Sequence, residues 1–386
     1  MTFKKIVRKI HLWLGLTSGI VVFIVSITGC LWVFQKEIKD LLEPTLQVAA
    51  QDEPFISLAE ARENARRVFP EREIHGTIVR HATDPMQVVF YEKEPEFYQS
   101  VFLNPYSGEV LKIENHRSGF FSFILKGHLY LWLPKEIGHE ITRYGTMVFV
   151  IMLITGLILW WPKSRKSSNQ RLSFLWKPST SWRRKNFDIH SIVGFYSFLL
   201  VLIISFTGLM MAFNWIGYLT YMAWGGEKSP QFIIPDNKEI GEKSRMDELY
   251  PLLAAKYPEY DELEFHYPKS DTASIYVELS SQSGVYYNAD FLFFDQYSLE
   301  EIGTASIYGK YTESGLPEKV IRTTYDMHIG AILGLPGKIL AFFASLVAAS
   351  LPVTGFLIWW GRTNKKEYKT HSRDSKKQKV SKPKYA

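Results

Sequence analysis

Four stretches of this chain contain no Asp, Glu, Lys or Arg: 12–34, 146–161, 192–216 and 339–360. Each is roughly 16–25 residues long, close to the ~20 helical residues that cross a ~30 Å hydrocarbon layer. A bilayer core leaves no water for an unpaired backbone group, so such runs become helices. The chain is therefore read as a multi-pass membrane protein built on four transmembrane helices.

Two of the runs are near-copies. Ile10-His11 is followed by Gly15, Ser18, Ser26, Thr28 and Gly29. Ile189-His190 is followed by Gly194, Ser197, Ser205, Thr207 and Gly208, each 179 residues further on. The second and fourth runs match in the same way, with Thr155-Gly156 and Trp160-Trp161 answering to Thr354-Gly355 and Trp359-Trp360. The chain reads as a tandem duplication: helix, outside module, helix, twice. Cleavage of the first run as a leader would discard His11. Ile27-Thr28-Gly29-Cys30 looks like a lipoprotein box, but its copy has Leu209 in place of the Cys, so an uncleaved span is expected.

Charge sets the expected orientation. Lys4, Lys5, Arg8 and Lys9 precede the first run. Lys163, Arg165, Lys166, Arg171, Lys177, Arg183, Arg184 and Lys185 lie between the second and third, and Arg362, Lys365, Lys366 and Lys369 follow the fourth. Basic loops stay in the cytoplasm, so both termini are expected inside and both long connections outside. The basic tail is read as a lipid-facing segment, with no nucleic acid as partner.

The two outside connections follow one plan. In the first, Ser57 caps a helix with Glu60 three residues on, and the helix ends near Phe69-Pro70. Strands are expected at 87–91 and 100–103, with Asn104-Pro105-Tyr106-Ser107-Gly108-Glu109 turning the chain onto Val110. In the second, a helix is expected over 246–256, strands at 273–279, 284–288 and 292–294, and a matching turn from Asp295 to Glu301. The expected divisions are 1–43, 44–126 (module), 127–162, 163–187, 188–224, 225–326 (module), 327–361 and 362–386.

Four of the ten histidines hold corresponding positions. His11 and His190 begin the first and third spans. His128 and His328 precede the second and fourth. Topology sorts them into an inner and an outer pair. Paired neutral imidazoles on facing helices suit a six-coordinate haem iron, held between inward side chains of a bundle. The single Cys30 excludes an internal disulfide, a Cys-x-x-Cys-His attachment and a cysteine-held iron–sulfur cluster. Gly15 and Gly194, four residues after their histidines, would let a macrocycle approach, with Gly127, Gly330 and Gly334 beside the outer pair. Zinc is the competing ligand, although two imidazoles without a nearby carboxylate or thiolate make a poor zinc site. Asp188 and Asp326, each two residues before a His, are read as partners that orient the ring or as helix-start residues. Arg143 and Arg322 lie outside and are not asked for by inside-positive bias, so they are expected to meet haem propionates. His75, His81, His116, His266 and His371 have no repeat partner and default to surface or turn roles.

With these residues in hand, the chain resembles a known family: bacterial inner-membrane proteins with PepSY-type modules and PepSY-associated transmembrane helices, and within it the di-haem siderophore reductases. His11 with Gly15, Gly127-His128, Asp188-x-His190-x-x-x-Gly194, Met327-His328 with Gly334-Leu335-Pro336-Gly337, and the Thr-Gly and Trp-Trp span ends carry the resemblance. Tyr106-Ser107-Gly108-Glu109-Val110 matches the PepSY hairpin, while Leu299 departs from it in the second module. The resemblance implies an α-helical membrane protein with two small α+β periplasmic modules. It also implies two bis-His haem b groups and electron flow to a ferric siderophore in the periplasm, releasing Fe(II). No glycine-rich dinucleotide fingerprint follows an expected strand, so the electron donor is expected to be a separate cytosolic protein or the quinol pool. The alternative is a membrane-anchored binding or regulatory protein without redox activity. A transporter is disfavoured because no span carries a charge.

Overall fold

The structure is a computed structural model. It describes residues 2–42, 46–162, 165–228, 230–238 and 240–380, with side chains at 165–167 and 364–380 outside that description. Lys163, and the side chains of Arg165, Lys166, Lys365, Lys366, Lys369 and His371, lie outside the described residues. The chain divides into a helical unit (1–31, 126–209, 339–386) and a sheet unit (32–125, 210–338).

Among the described residues, four helices are long and apolar enough to cross a membrane: Phe3–Trp32, Lys135–Trp160, Trp182–Ala212 and Ala331–Thr363. All four apolar runs thus become spans, and the protein is a multi-pass membrane protein by length and composition of its helices. Large side chains such as Trp13, Ile20, Leu199 and Phe343 point outward, whereas Ser18, Thr28, Ser205 and Thr207 are buried. Those hydroxyls bond back to their own helix, Ser18 to Leu14 O at 2.8 Å and Ser205 to Val201 O at 2.7 Å. Small residues let apolar helices meet closely where no water drives them together. Ala344 and Ala348 accordingly share a cluster with Val22, Phe149, Leu153 and Val201. A Cβ on Gly145 would lie 2.7 Å from Val21 Cγ1, and one on Gly19 would lie 3.3 Å from Pro352 Cβ. The third span departs from a regular helix at Ile189–Val193, which forms one π-helical turn around His190. Such turns recur at functional sites. Of the paired tryptophans, Trp160 is buried and stacked on Phe195 at 3.5 Å, while Trp161 and Trp360 are exposed.

The sheet unit brings the strands of both outside connections into one sheet. β1 (Ile74–Val79), β2 (Met86–Glu92), β3 (Phe97–Leu103), β4 (Val110–Asn115), β5 (Glu262–His266), β6 (Ile275–Ser280), β7 (Asp290–Phe294) and β8 (Glu301–Ile302) form one antiparallel sheet in the order β4-β3-β2-β1-β5-β6-β7-β8. The two halves join through β1 and β5, with Thr77 opposite Phe265 and Ile78 opposite Glu264. A lone half would leave its first strand as an unpaired edge, and joining removes both edges. The expected strand at 284–288 is instead a turn, and the chain enters β7 at Asp290.

One face of the sheet carries the apolar core. Val88, Phe90, Val101, Leu103, Phe265, Val277 and Leu279 pack in one cluster with Leu58, Ala61 and Ala65 from the helix Leu58–Val68, and with Leu249 and Leu253 from the helix Leu249–Lys256. Full burial of each large side chain contributes about 1.5–3 kcal/mol. The first helix begins as expected, with Glu60 N donating to Ser57 Oγ at 3.1 Å. Arg62 donates to both oxygens of Asp247, at 2.8 and 3.1 Å, tying the two halves across the helix side. The alternate residues of β5 and β6 face the other way: Glu262, Glu264, His266, Tyr276 and Glu278.

The two hairpin turns are the same turn. Asn104 Oδ1 accepts from Tyr106 N and Ser107 N at 2.9 and 3.2 Å, and Asp295 Oδ1 accepts from Tyr297 N and Ser298 N at 2.9 and 3.0 Å. Gly108 has φ +71° and Leu299 φ +64°. Loss of the glycine has not changed the geometry, because the Asx bonds on its N-terminal side still impose it.

Candidate functional site

The helical unit brings His11 and His190 together, their ring centroids 6.5 Å apart and their planes at 82°. Half that separation is close to a metal–imidazole bond of ~2 Å plus the roughly 1 Å from ring nitrogen to ring centre. The spacing is that of two imidazoles sharing one metal atom.

The Thr-Gly pairs explain how the rings are held. His11 Nδ1 lies 2.9 Å from Thr155 Oγ1, and His190 Nδ1 lies 2.8 Å from Thr354 Oγ1. His128 Nδ1 lies 2.9 Å from Val25 O and 3.3 Å from Thr28 Oγ1. Each threonine has one hydroxyl hydrogen. It goes to the threonine's own helix: Thr155 to Met152 O at 3.0 Å, Thr354 to Ser350 O at 2.9 Å, Thr28 to Ile24 O at 2.7 Å. Toward the imidazole, the hydroxyl oxygen can therefore only accept. With the hydroxyl hydrogen so placed, the proton sits on Nδ1 and Nε2 keeps its lone pair. That is the tautomer of a metal-binding imidazole whose other nitrogen is anchored. Among the described residues, no hydrogen bond reaches Nε2 of His11 or His190.

The glycine after each threonine abuts the same ring. A Cβ on Gly156 would lie 3.4 Å from His11 Cε1, one on Gly355 3.4 Å from His190 Cε1, and one on Gly29 3.4 Å from His128 Cε1. The expectation for Gly15 and Gly194 is corrected: their open sides face Met152 Cε at 3.0 Å and Leu351 Cδ2 at 3.3 Å, so they serve helix packing. Gly127 faces the Trp132 indole, and Gly330, at φ +77°, caps the helix Thr324–Ile329. His328 is on that helix, in the sheet unit; His128 belongs to the helical unit.

The carboxylates read as ring partners do other work. Asp188 accepts from Trp176 Nε1 at 3.1 Å and Arg184 Nε at 2.9 Å. Asp326, fully buried, accepts from the backbone N–H groups of Tyr286 and Tyr287 and so fixes that turn. Arg143 pairs with Glu140. Arg322 is buried, donating to Gly309 O and Ser314 Oγ at 3.1 Å each and to Ala289 O, with its guanidinium over Phe291 and Tyr311. Its two terminal nitrogens bond within the sheet unit. His116 bonds to Ser100 Oγ at 2.8 Å, and exposed His81 lies 3.3 Å from Asp261. His75 and His266 are both half-buried, and their rings meet at 5.0 Å on the sheet.

Sequence reasoning noted the Thr-Gly pairs only as matching span ends. The missed signal was their recurrence in all four spans, as many times as the repeated histidines. Among curated proteins none matches the chain. The family model described as the PepSY-associated TM region matches residues 8–362, and the chain belongs to that family.

Proposed function

We propose that this protein is a di-haem b electron carrier of the bacterial inner membrane that reduces a ferric siderophore on the periplasmic side. The observation carrying this reading is the His11–His190 couple: two imidazoles 6.5 Å apart, each with Nδ1 tied to a threonine hydroxyl of a repeated Thr-Gly pair. These residues fit a bis-imidazole macrocycle, with Nε2 left to the metal and glycine beside each ring. Haem iron bound there supplies reversible one-electron transfer. The chain contributes neutral ligands, which an apolar bundle holds without a counter-ion. Thr155 and Thr354 keep the protons on Nδ1.

His128, with the same tautomer imposed by Val25 O and Thr28, is assigned to the second haem together with His328 on the strength of the sequence repeat. The duplication and the sheet unit's PepSY character belong to this reading, as does a topology with both termini in the cytoplasm. Reduction of ferric iron weakens its hold by hard oxygen ligands, so an electron delivered to the chelate frees the metal as Fe(II). The donor is a cytosolic reductant or quinol. The test is an absorption spectrum of the detergent-purified protein, oxidised and dithionite-reduced. Haem bands with about two haems per chain are expected, and a protein expressed with ample haem that shows none would end this reading.

A further inference from the structure

The polar face of the sheet carries a group that the electron-carrier reading does not use. Glu264 and His266 sit two apart on β5 and so share a face, and Glu278 lies directly opposite Glu264 on β6. One ligand atom from each of the three lies within 4.8 Å of the others. His266 Nε2 is buried with no hydrogen-bond partner, although Glu264 Oε1 stands 3.4 Å away. A buried, unpaired ring nitrogen facing a carboxylate calls for an explanation.

The surroundings fix the donors in place. Tyr276 stacks on the His266 ring at 4.3 Å and 11°. Its hydroxyl donates to Glu278 Oε2 at 2.9 Å, as an outer partner orients a metal-bound carboxylate. On the other side of the ring the strand partner is Gly76, where a Cβ would come within 2.7 Å of Phe265 O and 3.6 Å of His266 Nδ1. Two carboxylates directly opposite on neighbouring strands repel. Arg80 and Arg322 relieve them only in part: Arg80 Nε is engaged by Glu262 at 2.6 Å, and the terminal nitrogens of Arg322 are bonded to Gly309 O, Ser314 Oγ and Ala289 O. Among the described residues no hydrogen bond joins Glu264 to Glu278, so a proton shared between them is not what the geometry displays.

We infer that Glu264, His266 and Glu278 form a binding site for one divalent first-row transition-metal cation on the polar face of the sheet. One imidazole and two carboxylates suit Mn(II), Fe(II) or Zn(II) rather than a soft ion that needs thiolate. Three protein donors leave further positions open to water or a chelate oxygen. The site shares no residue with the proposed haem ligands and does not depend on them.

The test uses the full chain in detergent, stripped with EDTA and dialysed against micromolar Zn(II), with zinc and haem iron counted separately by mass spectrometry. About one zinc per chain is expected, with a rise in melting temperature. Glu264→Gln, His266→Gln and Glu278→Gln should each weaken retention by about tenfold or more. Should those variants fail to fold, Tyr276→Phe keeps the stacked ring and removes only the hydroxyl, and a smaller loss of affinity is expected. Zinc retained equally by every variant, or no stoichiometric zinc in the unmodified protein, overturns the site.

Discussion

Two pairs of histidines in this molecule meet at similar distances and live by different rules. His11 and His190 approach to 6.5 Å in the helical unit, each anchored by a threonine hydroxyl. His75 and His266 approach to 5.0 Å on the sheet, next to Glu264 and Glu278. A hydroxyl fixes a tautomer without adding charge, so the first pair offers neutral lone pairs in an apolar setting. Carboxylates add charge, so the second pair borders a place where a cation or a proton is wanted. On the proposed readings, the groups beside the imidazole, more than the imidazole itself, separate a cofactor site from an ion site.

The largest expected effect breaks the comparison at the helical pair. His11→Ala or His190→Ala should remove about half of the bound haem, read from the reduced-minus-oxidised spectrum. His266→Ala should leave haem content unchanged. Loss of haem in all three variants would mean that the two pairs are not independent. Thr155→Val and Thr354→Val sharpen the point. Shape is kept, the Nδ1 acceptor is lost, and haem affinity should fall by about 10–100-fold in titrations of the stripped protein.

On the sheet, pH is the probe. Burial, then the charges of Glu278 and Glu262, push the Glu264 carboxyl up to about 8 from its ordinary 4.5. The folded state then holds a proton that the unfolded chain releases, so metal-free stability should fall as pH rises from about 4.5 toward 8. Burial, then His75, lowers His266 to about 3 from 6.5, which costs stability as pH drops through that window. Glu264→Gln should flatten the first slope only, an effect on the order of a few kcal/mol at pH 8 by chemical denaturation. An unchanged slope would show that another group titrates.

The smallest effects lie in the paired turns. Leu299→Gly should stabilise by about 0.5–1 kcal/mol, because it relieves a positive φ. Gly108→Ala should cost about 1–2 kcal/mol, since φ is +71° and the new Cβ would press on Asn64 Nδ2. Denaturation midpoints check both. Equal responses would mean that the two turns are not held alike.

Much of the fold was legible because it is written locally. Charge-free runs of spanning length mark the four helices, Ser57 with Glu60 marks a helix start, and Asn104 and Asp295 mark the turns. The strand expected at 284–288 failed because Gly284 and Asn288 belong to a turn whose N–H groups are taken by Asp326, about 40 residues on. Leu299 looked wrong for its turn because propensity is weaker than the side-chain bonds around it.

The candidate site was legible only in its histidines. The 179-residue repeat picked out His11 and His190 by itself, since a duplicated imidazole in an apolar helix is visible without coordinates. Which groups hold those rings depended on hydrogen bonds spanning 144 and 164 residues, and these follow from how the helices pack. The same is true of β1 meeting β5, of Gly156 and Gly355 rather than Gly15 and Gly194 lying against the imidazoles, and of Glu264 facing Glu278. Composition and periodicity set what each segment must bury. Only packing decides which buried face meets which, because that choice is made by shape and by polar groups that have no water to turn to.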